Sequence, residues 1–154
     1  KRCFQYDGQW RRDRRAGCGT LMVTSPQGQQ VLYTYDGAWS DDMRSGSGGC
    51  VYRGAEKYSG HWLRNLYHGA GTLVDADGGL YEGDWQEGKF HGVGKHTRHG
   101  ETYVGEFFEG EMHGEGQLQR LTPSDVAAGS AGSEPDRSEA AIVSAALGPE
   151  CVFS

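Results

Sequence analysis

The residues best suited to chemistry are the histidines, and three of them recur in phase. His68, His91 and His113 each fall ten residues after a tyrosine: Tyr58, Tyr81 and Tyr103. Zinc holds its nitrogen ligands within about 2 Å. Equivalent residues on successive β-hairpins lie two strands apart, about 9.6 Å. These three therefore cannot share one ion, and the expected role is a hydrogen bond to turn backbone or an aromatic contact. His96 and His99 would have to join His91 or His113 at one edge to complete a site, which the ligand count disfavours. The carboxylates Glu106, Glu109, Glu111 and Glu115 are better explained as a solvated polar face than as an acid–base pair. The Gly-x-Gly pairs sit in strands with no Gly-Lys-Ser/Thr after them, so they are not phosphate loops. No Ser-His-Asp or Cys-His arrangement stands out, and a single sheet offers no deep pocket to dry one. The chain is read as non-catalytic, with no cofactor, no metal and no small-molecule substrate.

The strongest electrostatic feature is the turn Arg11-Arg12-Asp13-Arg14-Arg15. Arg11, Arg12, Arg14 and Arg15 form a basic docking turn suited to anionic lipid headgroups or an acidic protein tail; an ordinary solvated turn is the competing reading. Nucleic acid is not expected, because the chain carries a net charge of −6 and one turn is a small footprint. The charge is also polarised. Lys1, Arg2 and the four turn arginines face only Asp7 and Asp13 in the first fifteen residues, whereas the last two repeats are dominated by glutamate.

The elements that position these residues come from an internal repeat. Tyr-x-Gly-x-(Trp or Phe) occurs five times: Tyr6 to Trp10, Tyr35 to Trp39, Tyr58 to Trp62, Tyr81 to Trp85 and Tyr103 to Phe107. Eleven residues after each tyrosine begins a Gly-x-Gly, as at Gly69/Gly71 and Gly92/Gly94. The tyrosines are spaced 29, 23, 23 and 22 residues apart, the extra length falling at the turn-rich Ser25-Pro26-Gln27-Gly28. A fixed core with variable links marks a repeat architecture. Strand side chains alternate faces, so Tyr81, Gly83 and Trp85 share one face and Glu82 and Asp84 the other. Glycine-bearing turns between the halves, such as Gln86-Glu87-Gly88-Lys89, make each unit a hairpin. Glycine weakens a strand, so three fixed glycines per unit imply hollows into which Tyr, Trp or Leu settles. One hairpin is marginal in water, so neighbours must stack. The fold class is all-β: a single-layer antiparallel meander of about ten strands, roughly 48 Å across if twist is ignored.

This pattern resembles the MORN repeat (membrane occupation and recognition nexus), whose consensus is close to Tyr-x-Gly-x-Trp-x-x-Gly-x-x-His-Gly-x-Gly. The resemblance covers Tyr6 to Leu118. Copies one to three depart from it at the turn, with Asp13, Asp42 and Asn65 in place of glycine, and copies one and two carry Ala16 and Ser45 in place of histidine. The resemblance implies an elongated, twisted single-layer scaffold of the kind found at cytoskeletal structures, in flagella, at membrane junctions and appended to enzymes.

Residues 1–121 form the repeat sheet, 122–133 a Gly/Ser/Ala-rich linker, 134–148 a short amphipathic helix and 149–154 a tail. Ile142, Val143 and Leu147 lie on the apolar side of that helix and would contact the sheet or a partner. Cys3, Cys18, Cys50 and Cys151 show no ligand spacing, which suggests free thiols in a reducing compartment. No apolar run reaches the ~20 residues of a membrane-spanning helix. A start at Lys1 leaves an upstream targeting segment open.

The expected function is a non-catalytic scaffold binding other proteins, cytoskeletal or axonemal subunits among them, in the cytoplasm, at the cytoskeleton or in a cilium or flagellum. Its partner-binding face would be the stripe of Tyr6, Trp10, Tyr35, Trp39, Tyr58, Trp62, Tyr81, Trp85, Tyr103 and Phe107. Open edge strands would favour homodimerisation. The alternatives are a peripheral adaptor that binds anionic lipid through the basic turn, and a regulatory segment of a larger enzyme. Trp62→Ala and Trp85→Ala are each expected to loosen the sheet and weaken partner capture. Unchanged hydrogen exchange and unchanged pull-down in both variants would overturn that expectation.

Overall fold

The structure is a computed structural model that describes residues 2–120. The expected linker, the helix with Ile142, Val143 and Leu147, and the tail lie outside the described residues. Ten strands follow in order: β1 Cys3–Arg11, β2 Arg14–Thr24, β3 Val31–Ser40, β4 Met43–Tyr52, β5 Lys57–Leu63, β6 Leu66–Val74, β7 Leu80–Gln86, β8 Lys89–Arg98, β9 Glu101–Phe108 and β10 Glu111–Arg120. Each pairs antiparallel with the next, giving one open sheet with β1 and β10 at its edges. The meander expected from the repeat is what forms.

The five hairpins close on two-residue turns: Arg12-Asp13, Asp41-Asp42, Arg64-Asn65, Glu87-Gly88 and Glu109-Gly110. All ten residues have positive φ, between 48° and 92°, the pattern that matches the twist of paired strands. Asp and Asn tolerate this conformation better than other non-glycine residues. The three copies that lack the turn glycine therefore keep the same turn.

The core rests on a row of glycines. Gly8, Gly19, Gly37, Gly48, Gly60, Gly71, Gly83, Gly94, Gly105 and Gly116 are cross-strand neighbours in sequence, one per strand, from edge to edge. The tyrosine that opens each hairpin lies over that hairpin's own pair. A Cβ placed on Gly71 would sit 2.7 and 2.8 Å from Cζ and Cε2 of Tyr58, and one on Gly60 would meet the Tyr58 hydroxyl at 2.7 Å. Two glycines in strands cost about 1–2 kcal/mol relative to alanine. A buried aromatic covers about 150–250 Å², a gross gain of roughly 4–6 kcal/mol at 25 cal/mol per Å². The ring outweighs the glycines.

The first glycine of each Gly-x-Gly serves a different purpose from the hollow expected of it. Register runs Gly60↔Gly71 and then Trp62↔Tyr67, so β6 holds two more residues than β5 across this bulge. Gly69 lies in it at φ +60°, a conformation that is nearly free only for glycine. Because the insertion is of two residues, Tyr67 stays on the same face as Trp62 and joins the rings.

Gly71→Ala should cost about 1–3 kcal/mol through overpacking against the Tyr58 ring. Gly78→Ala, at a turn with open space around it, should cost only about 1–2 kcal/mol, the penalty for a left-handed backbone. Urea unfolding of the two variants checks the ranking.

Candidate functional site

The aromatic stripe is the protein's own interior. Tyr35, Tyr58 and Tyr81 are at most 1% exposed, and Trp39, Trp62, Trp85, Tyr103 and Phe107 are also buried. Within each repeat the opening Tyr meets the following Trp or Phe edge to face, with centroids 5.1–5.2 Å apart. Between repeats, Trp62 packs on Tyr35 at 5.2 Å and Trp85 on Tyr58 at 5.4 Å. Of the ten rings expected to face a partner, only Trp10 is largely open, at 59%, with Tyr6 partly covered. The others cover one another.

Each buried polar handle in the stripe is satisfied. The Tyr58 hydroxyl donates to the carbonyl of His61, opposite the bulge, at 2.8 Å; Tyr35 and Tyr81 do the same to Ala38 and Asp84. The indole N–H of Trp39, Trp62 and Trp85 reaches back to the carbonyl of Gly19, Gly48 and Gly71, in the preceding hairpin, at 2.8, 2.9 and 3.1 Å. The tryptophans are thus the bolts between hairpins.

A further column, nine residues after each tyrosine, completes the packing and was not singled out from the sequence. It reads Arg15, Arg44, Tyr67, Phe90, Met112. Arg15 and Arg44 lie over the rings of Trp39 and Trp62 at 4.3 and 4.2 Å, as cation–π pairs. Tyr67 and Phe90 stack on Tyr58 and Tyr81 at 3.7 Å. Mixed chemistry, arginine then aromatic then methionine, hid the column. Its signal was the constant offset.

The turn residues that depart from glycine have work at this column. Asp42 Oδ1 accepts the backbone N–H of Arg15 at 2.9 Å, while its own N–H donates to the Arg15 carbonyl at 3.1 Å. Asn65 clasps Arg44 likewise at 2.9 and 3.0 Å. Gly88 and Gly110 keep only the backbone half, to Tyr67 and Phe90. The bonds from the Arg15 backbone and side chain hold the Asp42 carboxyl below the usual carboxylate range.

This changes the basic docking turn. Arg15 is half-buried, with Nε 3.1 Å from Asp42 Oδ1 and Nη2 3.0 Å from the Asp42 carbonyl. Arg14 lies 3.4 Å from Asp41. Arg11 and Arg12 are exposed. The structure therefore turns one of the four arginines inward and leaves three at the surface, Arg14 of them beside Asp41.

His91 and His113 flank Phe108 at 5.5 and 5.6 Å, the aromatic contact expected of them. Among the described residues no three His, Cys, Asp or Glu side chains are placed to hold a metal ion. Cys3 and Cys50 are free thiols. At the β10 end an open groove of about 340 Å³ is lined by residues that include His96, Tyr103, Met112 and Leu118.

These features define a single-layer β-repeat protein, in which stacked hairpins share one self-covered row of rings. The MORN repeat model matches residues 6–22, 35–54, 58–80, 81–100 and 103–120, and the chain belongs to the MORN-repeat family. No curated protein was found to match the chain. Such repeats bind proteins or membranes, on an all-β fold that is typically non-catalytic.

Burial pushes the Tyr81 hydroxyl up to about 12 and those of Tyr35, Tyr58 and Tyr67 higher still. Folding thus favours the neutral phenols. That stabilisation is complete below the unfolded value near 10 and is lost as pH rises through the folded values. Alkaline titration should therefore show delayed tyrosinate absorbance, appearing together with loss of the sheet's circular dichroism. Ionisation of all tyrosines near pH 10 with the sheet intact would contradict the buried stripe.

Proposed function

We propose that this protein is a non-catalytic scaffold that binds other proteins, in a cytoplasmic assembly of cytoskeletal or flagellar (axonemal) type. The observation that carries the scaffold reading is the division of labour between the two faces. One face spends its rings on holding the sheet together. The other, at the alternate strand positions, exposes Val93 at 63%, Val104 at 48% and Phe108 at 52% among charged neighbours. Apolar side chains within a polar surround are the usual makeup of an interaction surface. The cytoskeletal and flagellar setting rests on the habits of MORN proteins alone.

Anionic lipid is the weaker reading. Asp41 and Asp42 lie against Arg14 and Arg15 and cut the positive charge that the basic turn offers a headgroup. Regulation of an enzyme remains a special case of protein binding.

Val93→Glu combined with Phe108→Glu should lower capture of cross-linked partners in cells by about tenfold or more, as expected for lost contact residues, with circular dichroism unchanged. Equal capture by the variant and the parent would overturn the assignment of this face.

A further inference from the structure

Three contacts fasten one hairpin to the next: an indole bond at three of the four junctions, a turn clasp whose backbone half is present at all four, and a charge pair at two. Among the described residues the sheet's two outer edges carry the unmatched halves of all three. The first is the indole N–H on the preceding hairpin's glycine carbonyl, as in Trp62 to Gly48. The second is the turn clasp, as in Asp42 around the Arg15 backbone. The third pairs the residue just after one turn with the first residue of the next turn, as in Arg14 with Asp41 and Lys89 with Glu109.

On β1 the equivalent groups are Trp10, Asp13 and Arg12. On β10 they are the Gly116 carbonyl, the Met112 backbone and Glu111. Trp10 is 59% exposed, whereas Trp39, Trp62 and Trp85 are 3–5% exposed. Met112 and Leu118 are each 52% exposed, although Leu21, the counterpart of Leu118, is 6% exposed. The groove of about 340 Å³ lies among Tyr103, Met112 and Leu118. It is the place where an incoming indole would rest, as Trp85 rests on Tyr58 and Tyr67 at 5.4 and 5.1 Å. The charges also match, since Arg12 would meet Glu111.

We propose that a second copy of this chain docks its β1 edge antiparallel on β10, in the register of the internal junctions, so that the sheet continues head to tail. Gly114 then faces Trp10, Gly116 faces Gly8 and Leu118 faces Tyr6, as Gly17, Gly19 and Leu21 face Trp39, Gly37 and Tyr35. Such a heterologous contact does not close on itself, and repeated addition lengthens the sheet. This goes beyond the scaffold reading, because it holds or fails irrespective of which other proteins bind.

Sedimentation velocity of the full chain tests it. The parent should show a mass that keeps rising with concentration past the dimer and falls at high salt. Trp10→Ala and Glu111→Arg should each weaken self-association about tenfold or more, with the melting temperature of the dilute protein unchanged. Mixed together, they should form a one-to-one dimer, because each retains the edge that the other lacks. Arg12→Glu combined with Glu111→Arg should restore assembly lost in either single variant. A parent that stays monomeric, for instance because another stretch of its own polypeptide covers either edge, would overturn the proposal. So would a closed dimer indifferent to Trp10→Ala, or a failure of the mixture to associate.

Discussion

A hydrogen atom at ten places decides the structure. Because each strand contributes a glycine to one line across the sheet, a phenol ring can lie flat against the backbone instead of standing off it. That close approach lets the tyrosine hydroxyl reach a carbonyl on its own strand. It also lets the next hairpin's indole reach a glycine carbonyl behind it. A methyl group on that line would lift the ring and break both bonds. Among the described residues the sheet has no second layer and so no other means of burying apolar surface; the line of hydrogens stands in for that layer.

The junction between hairpins tolerates substitution because it has redundant fastenings. Early repeats use a guanidinium over the indole and a carboxylate or amide at the turn; later ones use a stacked ring and a glycine. Each arrangement packs on the rings of its own junction and satisfies the equivalent carbonyl. Departures from the family pattern at Asp42 and Asn65 are therefore compensated, since the side chain supplies a bond that glycine lacks. The same economy draws Arg15 inward and away from the surface charge of its turn.

Function follows from which face is spent and which is free. Rings that hold the sheet are not available to a partner, which leaves the apolar side chains at the alternate positions and at the two ends as the exposed ones. The ends differ in kind: one offers a projecting indole and arginines, the other a hollow and glutamates. A repeat protein with unlike ends has a direction, which a compact domain of similar length does not.

The sequence by itself determined the strand count, the pairing order and the turn positions, because a period of 22 to 29 residues with constant internal offsets admits one antiparallel arrangement. It also determined that glycine and tyrosine belong together. It did not show that Tyr6 to Phe107 would be mostly interior, because alternation assigns a side chain to a face without saying whether that face is covered. The bulge was equally hidden: Gly69 and Gly71 look alike in sequence, yet one needs a left-handed backbone and the other an empty Cβ position. The column from Arg15 to Met112 came together only in space, where two inserted residues bring a distant position beneath the rings. What the tertiary structure alone decided was contact across strands, since cross-strand distance depends on register shifts that a linear pattern does not display.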